Sequence, residues 1–274
     1  MYRFYRQNGQ SMTEFIIVFP VMFILIFGAL QIAFLYHAKT TLNYATFLAA
    51  RSGAVSNGHL GIMENALARG MAPLYSHCDN AAEVLRARDQ VRTEIQNGFA
   101  FIEILNPPVT AFGNPISPAA RSGVRSGDRA LRMNIDGTPD TVIPNDSLMY
   151  RPTNPGLSSG QSIQDANILK IRAHYCYPLY VPFIDNLLVR IMTQAQNTDN
   201  TSPDYCPECQ GLYQNAGTFE RGCLDNDRFP LNSQAIVRMQ SPAIQSAMDP
   251  TVSSMYPGPA AANTVIAFTP ANCP

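Results

Sequence analysis

From Phe15 to Tyr36 the chain runs 22 residues without a charge. As an α-helix, at roughly 1.5 Å per residue, that run is about 33 Å long, enough to cross the hydrocarbon core of a bilayer. Fifteen of the residues are Phe, Ile, Leu or Val. Each favours insertion by roughly 0.3–0.6 kcal/mol, about 5–9 kcal/mol in all, an upper bound because Pro20, Gly28 and Gln31 subtract from it. Pro20 lacks an N–H donor and bends a helix near its first turns. A cleaved secretory signal also begins with basic residues, here Arg3 and Arg6. Its apolar core is shorter, however, and "AFLYHAKTT" is bulky where a cleavage site needs small residues. The run therefore reads as a transmembrane segment, 15–36.

Beyond it, "LNYATFLAARSG" keeps helical spacing through Tyr44, Phe47, Leu48 and Arg51, with Gly53 as the stop. One helix thus projects some 20 Å past the bilayer. Arg3 and Arg6 on one side nearly balance Lys39 and Arg51 on the other, so charge hardly orients it. The six cysteines, Cys78, Cys176, Cys206, Cys209, Cys223 and Cys273, all follow the run. An even set of cysteines favours an oxidising compartment, hence a cytoplasmic N-terminus and a periplasmic C-terminal part.

The formal charge of -1 and a charged fraction of 14% exclude the basic stripe of a nucleic-acid binder. After the long helix, the patterns give an α+β fold: helices packed on a small antiparallel sheet with long loops. "GIMENALARGMAPL" sets Ile62, Met63, Ala66, Leu67, Gly70, Met71 and Leu74 on one helical face. "NAAEVLRARDQVRTEIQNG" follows, with Asn80 and Glu83 at capping-box spacing, Gly98 as a stop, and a thin stripe of Val84, Val91 and Ile95. "FIEIL" is a strand ended by Pro107. "ILKIRAHYCY" alternates, with Leu169, Ile171, Ala173 and Tyr175 on one side, and "SQAIVRMQ" repeats this with Ala235, Val237 and Met239; the two are expected to pair antiparallel. "VPFIDNLLVRIM" reads as a short helix and "ALRMNI" as a strand. The expected domain is 54–240, with a cysteine-bearing insertion at 194–228 and a loose Ala/Pro/Ser-rich tail at 241–274.

No enzyme, cofactor or metal is expected. "CPEC", Cys206 to Cys209, lacks the strand before and the helix after that a thioredoxin-like site needs. A zinc site would want two further ligands, and no histidine lies near Cys223. Disulfides stapling a loop-rich insertion are the simplest use. Six cysteines allow 15 connectivities; the pairing Cys78–Cys176 would tie the helical part to the sheet. His37, His59, His77 and His174 are scattered and read as surface or rim residues.

The stretch "NGQSMTEFIIVFP" raises a different question. An acid, Glu14, stands at the mouth of the apolar run, five residues after Gly9. At a helix start the dipole favours an acid, which alone would account for it. Glycine, four residues, then Glu and an aromatic before an apolar helix also resembles the processing signal of type IV pilin-like proteins. More narrowly, Glu14 with Pro20, Gly28 with Gln31, and Ala49-Ala50-Arg51-Ser52-Gly53 resemble the TadE/TadG-like family of the Tad (Flp, tight adherence) pilus system. "IPNDSLMYRP" and "SIQDANILKIRAHYCYPLYVP" resemble its longer members, whereas 194–228 departs from it.

The resemblance implies a minor pilin or pseudopilin of the bacterial inner membrane. Residues 1–9 become a basic leader cut by a prepilin peptidase between Gly9 and Gln10, and residues 10–53 become the pilin-like helix. Glu14 and Phe15 become the fifth and sixth mature residues. The resemblance also implies that Glu14 neutralises the new amine of Gln10 on a neighbouring subunit, favourable in low dielectric only if the two pair well. The implied partners are other Tad pilins and pseudopilins, the inner-membrane assembly platform, the peptidase and the lipid bilayer.

Overall fold

The computed structural model describes residues 10–77, 80–112, 131–135, 138–156, 159–181, 184, 188 and 216–248. The apolar run and its Ala-rich continuation form one helix, α1, Gln10–Val55, with Pro20 carried inside it. The helix ends where Asn57 and Gly58 take positive φ, 60° and 77°, and the Gly58 N–H donates back to the Gly53 carbonyl at 2.9 Å. α1 therefore runs two residues past the stop expected at Gly53. Gly53 serves packing instead: a Cβ there would lie 2.4 Å from Sδ of Met63.

The two halves of α1 have different surroundings. Below Leu30 the large apolar residues are exposed, except Phe23 and Phe27, which are half-buried. Above Leu30, Ala38, Leu42, Ala45, Ala49, Ala50 and Ala54 are buried, three or four apart except for the adjacent Ala49 and Ala50, one stripe of mostly small side chains that lets neighbours approach closely. Against that stripe lies α2, Leu60–Met71. Met63 meets α1 at Gly53 and Gly70 meets it at Ala45, so the two helices run antiparallel. Met63, Leu67 and Met71 are fully buried, each contributing about 1.5–3 kcal/mol by area. Ile62 is exposed, contrary to the expected face. It stands about 100° round the helix from Met63 and falls off the edge of the stripe.

Helix α3, Ala81–Gln96, opens with the Asn80 side chain accepting the Glu83 N–H at 2.8 Å, as its sequence anticipates. Its buried stripe is Glu83, Ala87, Val91, Glu94 and Ile95, whereas Val84 is exposed. Two acids stand in the stripe where an apolar pattern would not look for them.

Strands β1 (Ala100–Asn106), β4 (Ile168–Pro178) and β5 (Arg228–Arg238) make an antiparallel sheet in the order β1-β4-β5. Ile168 stands opposite Arg238 and Pro178 opposite Arg228, so the two alternating segments are neighbours as expected. Leu169, Ile171, Ala173 and Tyr175 form the inner face and join the core around α1 and α2. A second sheet holds β2 (Leu131–Ile135), β3 (Thr138–Ile143) and β6 (Ala243–Ile244), with β3 central. Residues 241–248 are packed and not loose: Ala243 and Met248 are buried, and the Gln240 and Ser241 N–H groups donate to the terminal Ala54 carbonyl of α1 at 2.9 and 3.0 Å. The segment just after β5 thus supplies donors that an isolated helix end would take from water.

The outer face of the main sheet is covered by the helix Ala216–Asp225, which falls inside the stretch expected as a loop-rich insertion. Phe219 and Cys223 from this helix close a small second core with Phe99, Phe101 and Cys176. The short helix expected over 181–192 is described only at Val181, Ile184 and Leu188.

Candidate functional site

Among the described residues, the lower half of α1 is the part of the fold left largely uncovered by the head. Phe15, Phe19, Phe23 and Phe27 recur every fourth residue and stack their rings along one ridge, with centroids 5.3, 6.1 and 4.1 Å apart in sequence order. Phe15 is 64% exposed, and Ile16, Ile17, Leu25 and Ile26 on the other sides are exposed too. A helix apolar all round and bare of protein cannot rest in water; it needs lipid or other helices. The segment is long and apolar enough to cross a membrane. Gly28 has nothing within 4 Å of where its Cβ would stand, so it leaves a notch on that surface.

Gln10 is the first residue of α1, and Glu14 lies exposed one turn later. Gly9 lies outside the described residues.

Among the described residues, a tie between head and helix low on α1 is at Gln31. This side chain is fully buried, and its Oε1 accepts the backbone N–H of Val181 at 3.1 Å. It is the lone amide in the apolar run; the sequence shows it as a penalty to insertion and, with Gly28, as part of the family pattern, but not as a contact to the head. A second tie stands higher, where Lys39 Nζ donates to the Asn232 carbonyl of β5.

Among the sequence-chosen cysteines, Cys176 on β4 is bonded to Cys223, with Cα atoms 5.3 Å apart. This replaces the expected Cys78–Cys176 pairing. The reason is topological: Cys176 faces outward from the sheet, towards the Ala216–Asp225 helix, and not inward towards α2 and α3. Cys78, Cys206, Cys209 and Cys273 lie outside the described residues.

His174 is not a rim residue. It is buried, stacked at 4.5 Å on Phe101, and its Nε2 lies 2.8 Å from Oε2 of Glu103. Arg172 stands 3.7 Å from the same carboxylate. The β1–β4 register puts Glu103 opposite Arg172 and Phe101 opposite His174, which assembles the cluster. A second buried ion pair joins Glu94 of α3 to Arg228 of β5 at 2.6 Å. Both clusters have their charges matched inside the head and read as structural. Among the described residues no group of three or more His, Cys, Asp or Glu is placed to hold a metal ion.

A small α+β head built around the upper half of one long helix, with the lower half apolar and largely exposed, is the architecture of a helix-anchored protein. Residues 9–51 match the TadE-like protein family, so the N-terminal segment of this chain is TadE-like. No curated protein and no solved structure matches the chain. The family match supports a role associated with Tad pili, in a structural rather than enzymatic family, and α1 fits a single-pass membrane anchor.

Proposed function

We propose that this chain is a minor pilin or pseudopilin that takes part in assembling a Tad-type pilus for surface attachment. The observation that carries the reading is the coincidence of the TadE-like segment, residues 9–51, with a helix whose apolar lower half is left uncovered by its own head. In this reading α1 is held in the bacterial inner membrane with its N-terminus cytoplasmic and the head periplasmic. A prepilin peptidase cuts between Gly9 and Gln10. The ammonium group so formed at Gln10 would lie at the edge of lipid, where an unpaired charge is costly. Glu14 of a neighbouring subunit neutralises it, with Phe15 packing beside the pair, and the pairing sets the axial register between subunits. Other Tad pilins and pseudopilins and the inner-membrane assembly platform supply those neighbours.

The test is a count of surface pili, with immunoblots of the membrane fraction, in cells carrying Glu14→Ala. Normal processing with pili reduced at least tenfold is the expected result. Normal processing with a normal number of pili contradicts the pairing and leaves Glu14 as a helix-start acid.

A further inference from the structure

We infer that the end of β4 and the residues that follow it, Tyr177–Val181, form a membrane-surface foot: it seats the head on the lipid headgroups and shields Gln31 from the acyl chains. The inference rests on the reading of α1 as a membrane anchor.

The argument is one of level along α1. A hydrocarbon core about 30 Å thick takes up about 20 helical residues, so a span beginning at Phe15, just after Glu14, ends near Phe34. Gln31 then lies about 5 Å inside the apolar boundary. An amide there needs a protein partner, because lipid tails offer none. The structure supplies one for the amide oxygen, since the Val181 N–H donates to Gln31 Oε1, while the buried Nε2 has no hydrogen-bond partner among the described residues and is kept from the tails by burial alone. That bond fixes Tyr180 and Val181 at the level of Gln31, at or just below the boundary. Lifting the foot into water would draw Glu14 into the hydrocarbon instead, which is the costlier arrangement.

The composition of the foot suits that depth. Pro178 and Leu179 are half-buried, and Tyr180 is 44% exposed with its ring edge-on to Tyr177 at 5.6 Å. Tyr36, exposed and about 140° round the helix from Gln31, offers a second tyrosine on the other side of α1. Tyrosines at this height form the belt that membrane proteins place between tails and headgroups, ring in the apolar layer and hydroxyl in the polar one.

The chain contains no tryptophan, so one introduced indole is a unique reporter. The full chain, reconstituted in vesicles of phosphatidylcholine and phosphatidylglycerol, would be prepared as Phe23→Trp, Tyr180→Trp and Tyr150→Trp. Fluorescence quenching is read with spin labels placed shallow or deep on the acyl chains. The foot predicts that Tyr180→Trp is quenched at least twofold more by the shallow label than by the deep one. Phe23→Trp should show the reverse order, and Tyr150→Trp, at the far end of the head, should be quenched by neither. Leu179→Trp reports the same level if Tyr180→Trp fails to fold, as judged by circular dichroism. Deep quenching of Phe23→Trp with none at positions 179 and 180 overturns the foot and leaves the anchor standing. No quenching of Phe23→Trp by either label overturns the anchor and the foot together.

Discussion

Arg228 lies with its guanidinium 3.8 Å above the ring of Phe99 and donates to both carboxylate oxygens of Glu94, at 2.6 and 3.4 Å. The two residues are 134 positions apart and both are buried, so this one contact ties α3 to the first residue of β5. Removing Glu94 leaves a buried cation unpaired. Glu94→Ala is expected to lower the stability of the head by about 3–5 kcal/mol. The double variant Glu94→Leu with Arg228→Met should cost markedly less, because no charge is stranded. Urea unfolding of the full chain in detergent, followed by circular dichroism, measures both. Equal losses in the two variants would show that the ion pair is not what is lost.

The phenols of Tyr75 and Tyr175 face each other in the core and share a hydrogen bond. Burial is the main cause that raises the pKa of each above the ordinary value of 10.0. A raised pKa means that the folded state holds its proton more tightly than the unfolded state does. The stability this brings is complete below pH 10 and is lost as pH rises past it. The head should therefore unfold in alkali, in one step with ionisation of these phenols. Ultraviolet absorbance of phenolate against pH checks this, and Tyr75→Phe should weaken the dependence of stability on pH above 10. Ionisation of every tyrosine, Tyr75 and Tyr175 included, with the fold intact would contradict it.

The Cys176–Cys223 bond closes a loop of 47 residues. In the chain-entropy account such a loop contributes about 4 kcal/mol, less if other bonds already restrict it. Cys223→Ser should lower the thermal midpoint of the head and loosen the Ala216–Asp225 helix from the sheet. Peptide mapping of the oxidised protein should recover the Cys176 peptide linked to that of Cys223. A Cys176 peptide linked to Cys78 would mean that the arrangement described here is wrong.

Gly70 and Gly28 make a matched pair of substitutions. A Cβ at Gly70 would sit 2.6 Å from Cα of Ala45, backbone against side chain, so α1 and α2 would have to separate. Gly70→Ala is expected to destabilise the head by about 1–3 kcal/mol, as overpacking does. Gly28→Ala, with open space around it, should leave the unfolding of the head unchanged. Thermal melts of the two variants side by side decide the point, and equal effects would contradict the close approach of the helices.

Much of the head was legible because its signals are local. The uncharged run from Phe15 gives α1, and the alternation around Leu169 and Ala235 gives the central strand pair. Asn80 caps α3 from three residues away, a distance at which sequence spacing is informative. What could not be read depends on which surfaces meet. Glu94 and Glu103 look like solvent-facing acids until their partners arrive from β4 and β5. Gly53 looks like a stop until Met63 is packed on it. Cys176 chooses among five other cysteines by the face of β4 on which it stands. Gln31 carried a usable signal, a single amide in an apolar stretch, which points to a partner but cannot say that it is Val181.

The central claim is that α1 begins at a processed N-terminus and anchors a Tad-type pilus subunit. Its most direct measurement is the intact mass of the protein from membranes of cells with and without the prepilin peptidase. A mass lacking Met1–Gly9, seen only when the peptidase is present, is the predicted result. An unprocessed chain in both membranes would contradict it, leaving a TadE-like helix that anchors the head without entering pilus assembly by that route.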